Sequence, residues 1–424
     1  MKRKSEYFLS IIGVILAINI YVFATDKIQF SYLIFFVILL SSLLLFVIIK
    51  DKKFGNEIFI PILFSIYALI SMLFSYDFTR AYRYSLFLLV FLFIYVILSK
   101  VNSWHETFLR TLFFGSIVIV SGTYFSFLFP NIYKNLIFPL FNLENQIVME
   151  GLIRMGAHTG LTNQTAPNAF LISIGIALLY SRIYSKIDLK VLTKVALIIY
   201  LLALSMTLKR SFILANLASF IVLTYVKYRT ENNKISNIFK VITSITAVIS
   251  IILIISPFVP TIQDTINRFG LAETGIDTSG RDQIYTLGIK MFLIKPFFGH
   301  GIDSVPTFYS NNFGVYELQQ MHNIYIQMLA ELGLFFAVIL LFLFMFNYYL
   351  AYKTTKYALK NKDKKMIYIL SSSLYMQTFW LIYGFFGNPI TEHTYLLIYL
   401  LFSSITLFYF KKQKALDRLY LVGQ

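Results

Sequence analysis

Runs of about twenty apolar residues recur along the chain and constrain its fold more than any motif. Stretches such as 28–49, 111–129 and 238–257 hold few or no charges, and runs of that length match the hydrocarbon thickness of a bilayer. Only 13% of the 424 residues are charged and 58% are hydrophobic, whereas soluble domains carry about a quarter charged residues. The mean hydropathy is +0.71. The chain reads as an all-α polytopic membrane protein, a single integral membrane domain over 1–424. About twelve spans are expected, at 6–24, 28–49, 58–75, 82–99, 107–129, 166–184, 191–207, 212–226, 238–257, 323–350, 366–386 and 395–410. The basic head and apolar body of 1–24 resemble a signal peptide, but no convincing small-x-small cleavage site follows. The segment is therefore read as a retained first span.

The charge pattern orients these spans. The net charge is +17, which in a soluble chain would suggest nucleic acid. Here the lysines and arginines gather in alternate connections, at Lys2–Lys4, Lys50–Lys53, Lys186–Lys194, Lys227–Lys240, Lys353–Lys365 and Lys411–Arg418. That periodic excess marks cytoplasmic loops, so both termini are placed in the cytoplasm and no nucleic-acid partner is expected. The opposite side receives two long outer loops, 130–165 and 258–321. It also receives His158, His300, His322 and His393 and, of nine prolines, all but Pro61. The working surface is thus expected outside the cytoplasmic membrane. No nucleotide-binding loop is present. The absence of cysteine excludes a disulfide framework and thiolate ligands. No internal repeat of the kind that builds many transporters is evident.

Side chains suited to chemistry concentrate in 256–333, where the chain turns polar for about sixty residues, a length of loop that is usually functional. Arg268, Arg281, Asp282, His300, Asp303, Glu317 and His322 all lie there. His322 stands at the start of a long apolar run that Asn323 is suited to cap. A neutral imidazole there can accept a proton from a sugar hydroxyl near neutral pH; an interfacial packing role is the alternative. Arg281 follows Ser279-Gly280 and opens a helix-like run. Lys209-Arg210-Ser211 separate two spans with almost no loop, and cations at that depth are costly without an anion or water. Arg154 lies late in the first long loop, in GLIRMGAHTGLTNQTAPN (151–168). Arginine forks fit phosphate oxygens in pairs, so these three segments are candidates to converge on a diphosphate; snorkelling to lipid headgroups is the alternative. Asp282 and Asp303 have two readings, orienting His322 or an arginine, or capping helices. His300, in PFFGHG (296–301), reads as a turn residue, and Glu331 as a buried structural partner. No D-x-D pair, H-E-x-x-H or metal-spaced cluster occurs, so no metal and no cofactor are expected.

The sequence SGRDQIYTLGIKMF (279–292), then KPFFGHG (295–301), then MHNIYIQMLAELG (321–333) resembles the signature region of the O-antigen ligase and Wzy-type polysaccharide polymerase superfamily. Arg154 with Pro167-Asn168, and Lys209-Arg210-Ser211, resemble elements of the same family in earlier segments. The resemblance implies a GT-C-like, metal-independent, inverting glycosyltransferase in the bacterial cytoplasmic membrane. Its donor would be a glycan on undecaprenyl pyrophosphate. His322 would be the catalytic base, with Asn323 and Asp282 in support. Arg154, Lys209, Arg210 and Arg281 would hold the pyrophosphate. Besides membrane lipids, a chain-length-regulating co-polymerase is an implied partner. A polymerase is preferred; the alternatives are a ligase moving the finished chain to lipid A core or a protein and, with less support, a lipid-linked oligosaccharide transporter. The reading expects the cationic groups around one diphosphate-sized hollow with the His322 imidazole at its lip.

Overall fold

The structure, a computed structural model, describes residues 2–24, 59–101, 104–187, 191–230, 281–313 and 320–422. The expected spans 28–49 and 238–257 lie outside those residues. So does the 258–280 part of the second outer loop, with Arg268 and Ser279-Gly280, and so does Glu317. Among the described residues the chain is helical with no strand, and every expected span there coincides with a helix. Among the described residues, six helices are long and apolar enough to cross a membrane: 78–98, 104–128, 165–184, 210–230, 324–361 and 393–415. Shorter apolar stretches occupy 9–18, 61–74 and 191–205.

The chain divides into two compact units. The first comprises Met1–Ile38, Asn102–Asp277 and Tyr352–Phe379. It contains α1 (Lys2–Ala24), α4 (Trp104–Leu128), α5 (Pro130–Ile137), α6 (Leu143–Arg154), α7 (Thr165–Tyr184), α8 (Val191–Ser205) and α9 (Arg210–Thr230). The second comprises Leu39–Val101, Thr278–Ala351 and Trp380–Gln424. It contains α2 (Phe59–Ser71), α3 (Phe78–Leu98), α10 (Arg281–Ile294) and α11 (Val305–Phe313), and α14 (His393–Val422). The chain passes from the second unit to the first along α12 (Ile324–Asn361) and back along α13 (Lys364–Tyr383).

Polar groups inside the first unit are tied across helices, as they must be where water is scarce. The Asn216 amide of α9 donates to Ser173 Oγ of α7 at 2.8 Å and accepts from the Tyr375 hydroxyl of α13 at 2.8 Å. The expected span 366–386 is a helix, α13, but it is not one of the six long apolar ones. Ser371, Ser372, Ser373, Gln377 and Thr378 lie along it and are buried. Several of their hydroxyls return to carbonyls of their own helix, as Ser372 does to Tyr368 and Thr378 to Leu374, both at 2.8 Å. A helix surrounded by protein tolerates such residues where a lipid-facing one would not. In the second unit Tyr95 donates to Asn347 at 2.9 Å, joining α3 to α12, and Trp380 packs edge-on to Phe344 and tilted against Tyr399, at ring separations of 4.7 and 4.4 Å.

The segment 130–165, expected as the first long outer loop, is mostly helical. Pro130 starts α5, its missing N–H being harmless in a first turn. Asn142 caps α6 by accepting from the Asn145 N–H at 2.8 Å. Tyr133, Phe138 and Met149 form a small core beneath them. The segment therefore has its own apolar reason to fold.

Asn216→Ala removes one acceptor and one donor from the α7–α9–α13 network. It is expected to destabilise the protein by about 1–2 kcal/mol, measured by reversible unfolding in bicelles, while Asn135→Ala at an exposed position of α5 changes little.

Candidate active site

The second unit is built around an interrupted helix. At Gly333 the backbone of α12 leaves the helical region, with φ 68° and ψ 176°. The Leu334 N–H, which an unbroken helix would give to the Ala330 carbonyl, goes to the Pro296 carbonyl at 2.7 Å. The carbonyls of Ala330 and Glu331 are left open, and the turn after α10 fills them. The His300 N–H donates to Ala330 O at 3.1 Å and the Gly301 N–H to Glu331 O at 2.9 Å. The approach is close enough to require two glycines. A Cβ on Gly299 would stand 2.2 Å from the Glu331 carbonyl oxygen, and one on Gly333 2.4 Å from the Phe297 carbonyl. The P-x-x-G-x-G turn and the E-x-G element, separate in sequence, are thus one structural unit.

The Glu331 side chain extends this unit. It is buried, and its carboxylate accepts from the Asp303 N–H, the Val305 N–H and Gln327 Nε2, each at 3.1 Å. Because Val305 is the first residue of α11, Glu331 also serves as that helix's cap, and a carboxylate suits a helix N-terminus. The reading of Glu331 as a buried partner is borne out. Asp303, left open between orienting and capping, grips an arginine that had not been singled out. Arg80 of α3 meets it through Nε at 3.0 Å and a second guanidinium nitrogen at 3.4 Å. Burial pushes the Asp303 carboxyl above its usual range, with Arg80 opposing that shift. His300 is a buried structural residue. Its Nε2 faces the Met291 carbonyl at 2.8 Å, so that nitrogen carries the proton and Nδ1 accepts from the Tyr76 hydroxyl at 3.0 Å. Burial holds its pKa below the ordinary value.

His322 is placed differently. Its side chain is exposed, and its backbone is left-handed, with φ 53°, a conformation that histidine, asparagine and aspartate tolerate better than most residues. Met321 before it is fully buried against Ile284, Met291, Val305 and Ala330. Asn323 after it caps α12, accepting from the N–H groups of Tyr325 and Ile326 at 3.0 and 3.2 Å. The Ile324 N–H is satisfied by the Gly384 carbonyl at 2.9 Å. Tyr285, one turn beyond Arg281 on α10, donates to the His322 carbonyl at 3.1 Å. Burial pushes the Tyr285 hydroxyl above its usual range, and the nearby Arg281 charge and Asn323 oppose that shift. Tyr285 thus ties α10, the helix that Arg281 opens, to the backbone of His322. Asp282 is exposed in the first turn of α10, where a negative charge complements the helix dipole. Sequence reasoning passed over Tyr285; its place four residues after Arg281, within GRDQIY, was the available signal.

Arg154, Lys209 and Arg210 belong to the first unit, and Arg281, Asp282, His322 and Asn323 to the second. Arg154 ends α6 with its side chain 75% exposed and pairs with Glu150 at 3.0 Å. Lys134 meets the same carboxylate oxygen at 3.2 Å. Hydrogen bonds from Arg154 and Lys134 hold the Glu150 carboxyl below its usual range, although exposed pairs of this kind add little stability. The loop after Arg154 runs onto the end of α8, where the His158 N–H donates to the Met206 carbonyl at 2.9 Å. Just beyond, Leu208 turns left-handed at φ 54° and α9 starts at Arg210, with Lys209 and Arg210 half-buried. The fold thus brings the Arg154 segment against the Lys209-Arg210 segment. Ser126 gives its proton to the Thr123 carbonyl at 2.8 Å, so at 3.1 Å it accepts from His158 Nδ1.

These features define a helical multi-pass membrane protein with an exposed histidine at the start of a long apolar helix, its carbonyl tied to the helix that Arg281 opens. Residues 195–358 match the family model described as O-antigen ligase, the family that the motifs resemble. The matched range takes in Lys209-Arg210, Arg281, the 296–301 turn, His322-Asn323 and Glu331–Gly333; Arg154 precedes it. No curated protein matches the chain.

Two outcomes follow from this geometry. Gly333→Ala puts a methyl against backbone that cannot yield, and the folded yield in membranes should fall at least about tenfold, whereas Gly151→Ala, which meets nothing within 4 Å, should be neutral or stabilising by up to about 1 kcal/mol. Burial lowers the His158 pKa to about 4, while the unfolded chain titrates near 6.5. The unfolded state then binds more protons between those values, so stability should be intact above pH ~6.5 and decline as pH falls toward ~4. His158→Gln should flatten that limb in thermal melts at stepped pH.

Proposed function

We propose that the protein is a polysaccharide polymerase. It transfers a growing capsule, exopolysaccharide or O-antigen glycan from undecaprenyl pyrophosphate to a lipid-linked repeat unit. The single observation that carries this reading is the exposed His322, its carbonyl held by Tyr285 of the helix that Arg281 opens, within the range matched by the O-antigen ligase family model. In the reaction a hydroxyl oxygen of the acceptor sugar attacks the anomeric carbon of the donor. The bond from that carbon to the pyrophosphate oxygen breaks with inversion, and its electron pair leaves on the diphosphate. The hydroxyl proton passes to the His322 imidazole, a task for a neutral base near physiological pH. Arg281 offers paired N–H donors to the departing oxygens, and electrostatic stabilisation of that charge is the larger contribution. Arg154, Lys209 and Arg210 are proposed as further diphosphate contacts, and Asn323 and Asp282 as supporting groups.

The wider proposal is a GT-C-like protein of about twelve spans in the bacterial cytoplasmic membrane, with both termini cytoplasmic and the site facing outward. The alternation of lysine-rich connections supports that topology. The reading uses no metal; among the described residues no group of three His, Cys, Asp or Glu side chains is placed to hold one. A co-polymerase that regulates chain length is a proposed partner. Transfer to lipid A core or to a protein is the second reading, since the matched family is named for ligation. A transporter for the same lipid-linked unit has less support.

Purified protein given a lipid-linked repeat unit alone should yield a ladder of products. Transfer only when lipid A core or pilin is supplied would establish ligation instead. His322→Ala should reduce chain extension by roughly 10²–10⁴-fold with the protein still inserted; wild-type extension would remove His322 as the base. Arg281→Lys keeps the charge but loses the fork and should cost at least about tenfold. Normal ladders from both Arg281→Lys and Arg281→Ala would end its diphosphate role.

A further inference from the structure

Tyr285 lies one turn along α10 from Arg281, on the helix that Arg281 opens. Its hydroxyl proton goes to the His322 carbonyl at 3.1 Å, in preference to the Phe385 carbonyl at 3.4 Å. Holding that carbonyl fixes ψ of His322. With φ at 53°, the direction of its Cα–Cβ bond, and so the origin of the imidazole, is fixed as well. A histidine in this conformation carries about 1–3 kcal/mol of local strain that its surroundings must offset.

We propose that Tyr285 is the positioning residue of this site. Its hydroxyl holds the His322 backbone in its left-handed conformation and ties that residue to α10, the helix that Arg281 opens, so that base and diphosphate-binding cation keep one spacing. Tyr285 acts through His322 and Arg281 and does not itself exchange a proton with substrate. The inference rests on His322 being the base.

The experiment uses full-length protein in nanodiscs with a lipid-linked repeat unit, comparing Tyr285→Phe, Tyr285→Leu, His322→Ala and wild type. Tyr285→Phe keeps the ring and removes the hydroxyl. Turnover should fall about 10- to 100-fold, as small displacements of reacting groups do, with donor KM changed less than about threefold and the melting temperature close to wild type. Tyr285→Leu, a good helix former without the hydroxyl, should slow turnover in the same way. Wild-type turnover in Tyr285→Phe, or a rise in donor KM with turnover unchanged, overturns the inference. If Tyr285→Phe does not fold, Tyr285→Leu decides alone, and wild-type turnover there overturns it. Full turnover in His322→Ala overturns the base reading itself, and the inference with it. Loss in His322→Ala beside normal Tyr285→Phe overturns only the positioning role.

Discussion

A helix that breaks inside an apolar bundle must find partners for the backbone groups it releases, and the second unit is organised around one such break. The interruption at Gly333 frees the carbonyls of Ala330 and Glu331, and the turn at 296–301 supplies the N–H groups that meet them. The exchange is reciprocal, since Pro296 accepts from Leu334 in return. No side chain fits between the two backbones, so the glycines at 299 and 333 are steric requirements of a single contact. The Tyr67 hydroxyl, 2.8 Å from the Phe298 carbonyl and 3.0 Å from that of Leu332, closes the same seam from α2.

Glu331 carries that backbone contact outward into the segment that follows. Its carboxylate takes three N–H donors and starts α11. Asp303, whose own N–H is one of those donors, turns its side chain to Arg80. A buried carboxylate left without such donors would be costly, so the network must be complete for either acid to be tolerated. The turn, α11 and the first turns of α12 are thereby fixed to each other. His322 lies at the edge of this fixed region, with a buried methionine on one side and a helix cap on the other.

The fold was legible wherever a long apolar run met a break in composition. The helix starts at 78, 104, 165, 210 and 324 fall within a few residues of where charge, proline or asparagine interrupts the run. The six longest apolar helices were among the spans read from hydropathy. α13 was legible as a helix but less so as a span, because its serines and threonines are tolerated only by burial among neighbours. The helices within 130–165 were not separated from loop, since each is short and its apolar residues find their core only by packing on one another. At the site, the capping role of Asn323 and the buried role of Glu331 followed from residue type and position. The partnership of Asp303 with Arg80 did not, because the two are far apart in the chain and each has other plausible partners.

By itself the sequence determined that the chain is helical and membrane-embedded, and between Lys209 and Gly333 it carried motifs that resemble those of the O-antigen ligase family, whose model matches 195–358. Those are properties of composition, spacing and local conformation, which a linear chain displays directly. Tertiary structure alone decided that the 296–301 turn and the Glu331–Gly333 break are one contact. It also decided that His300 is locked inside while His322 is exposed, and that Tyr285 joins α10, the helix that Arg281 opens, to the start of α12. Hydrogen-bond partners remote in sequence are chosen by the path of the backbone, and two histidines of identical chemistry differ only in what that path places around them.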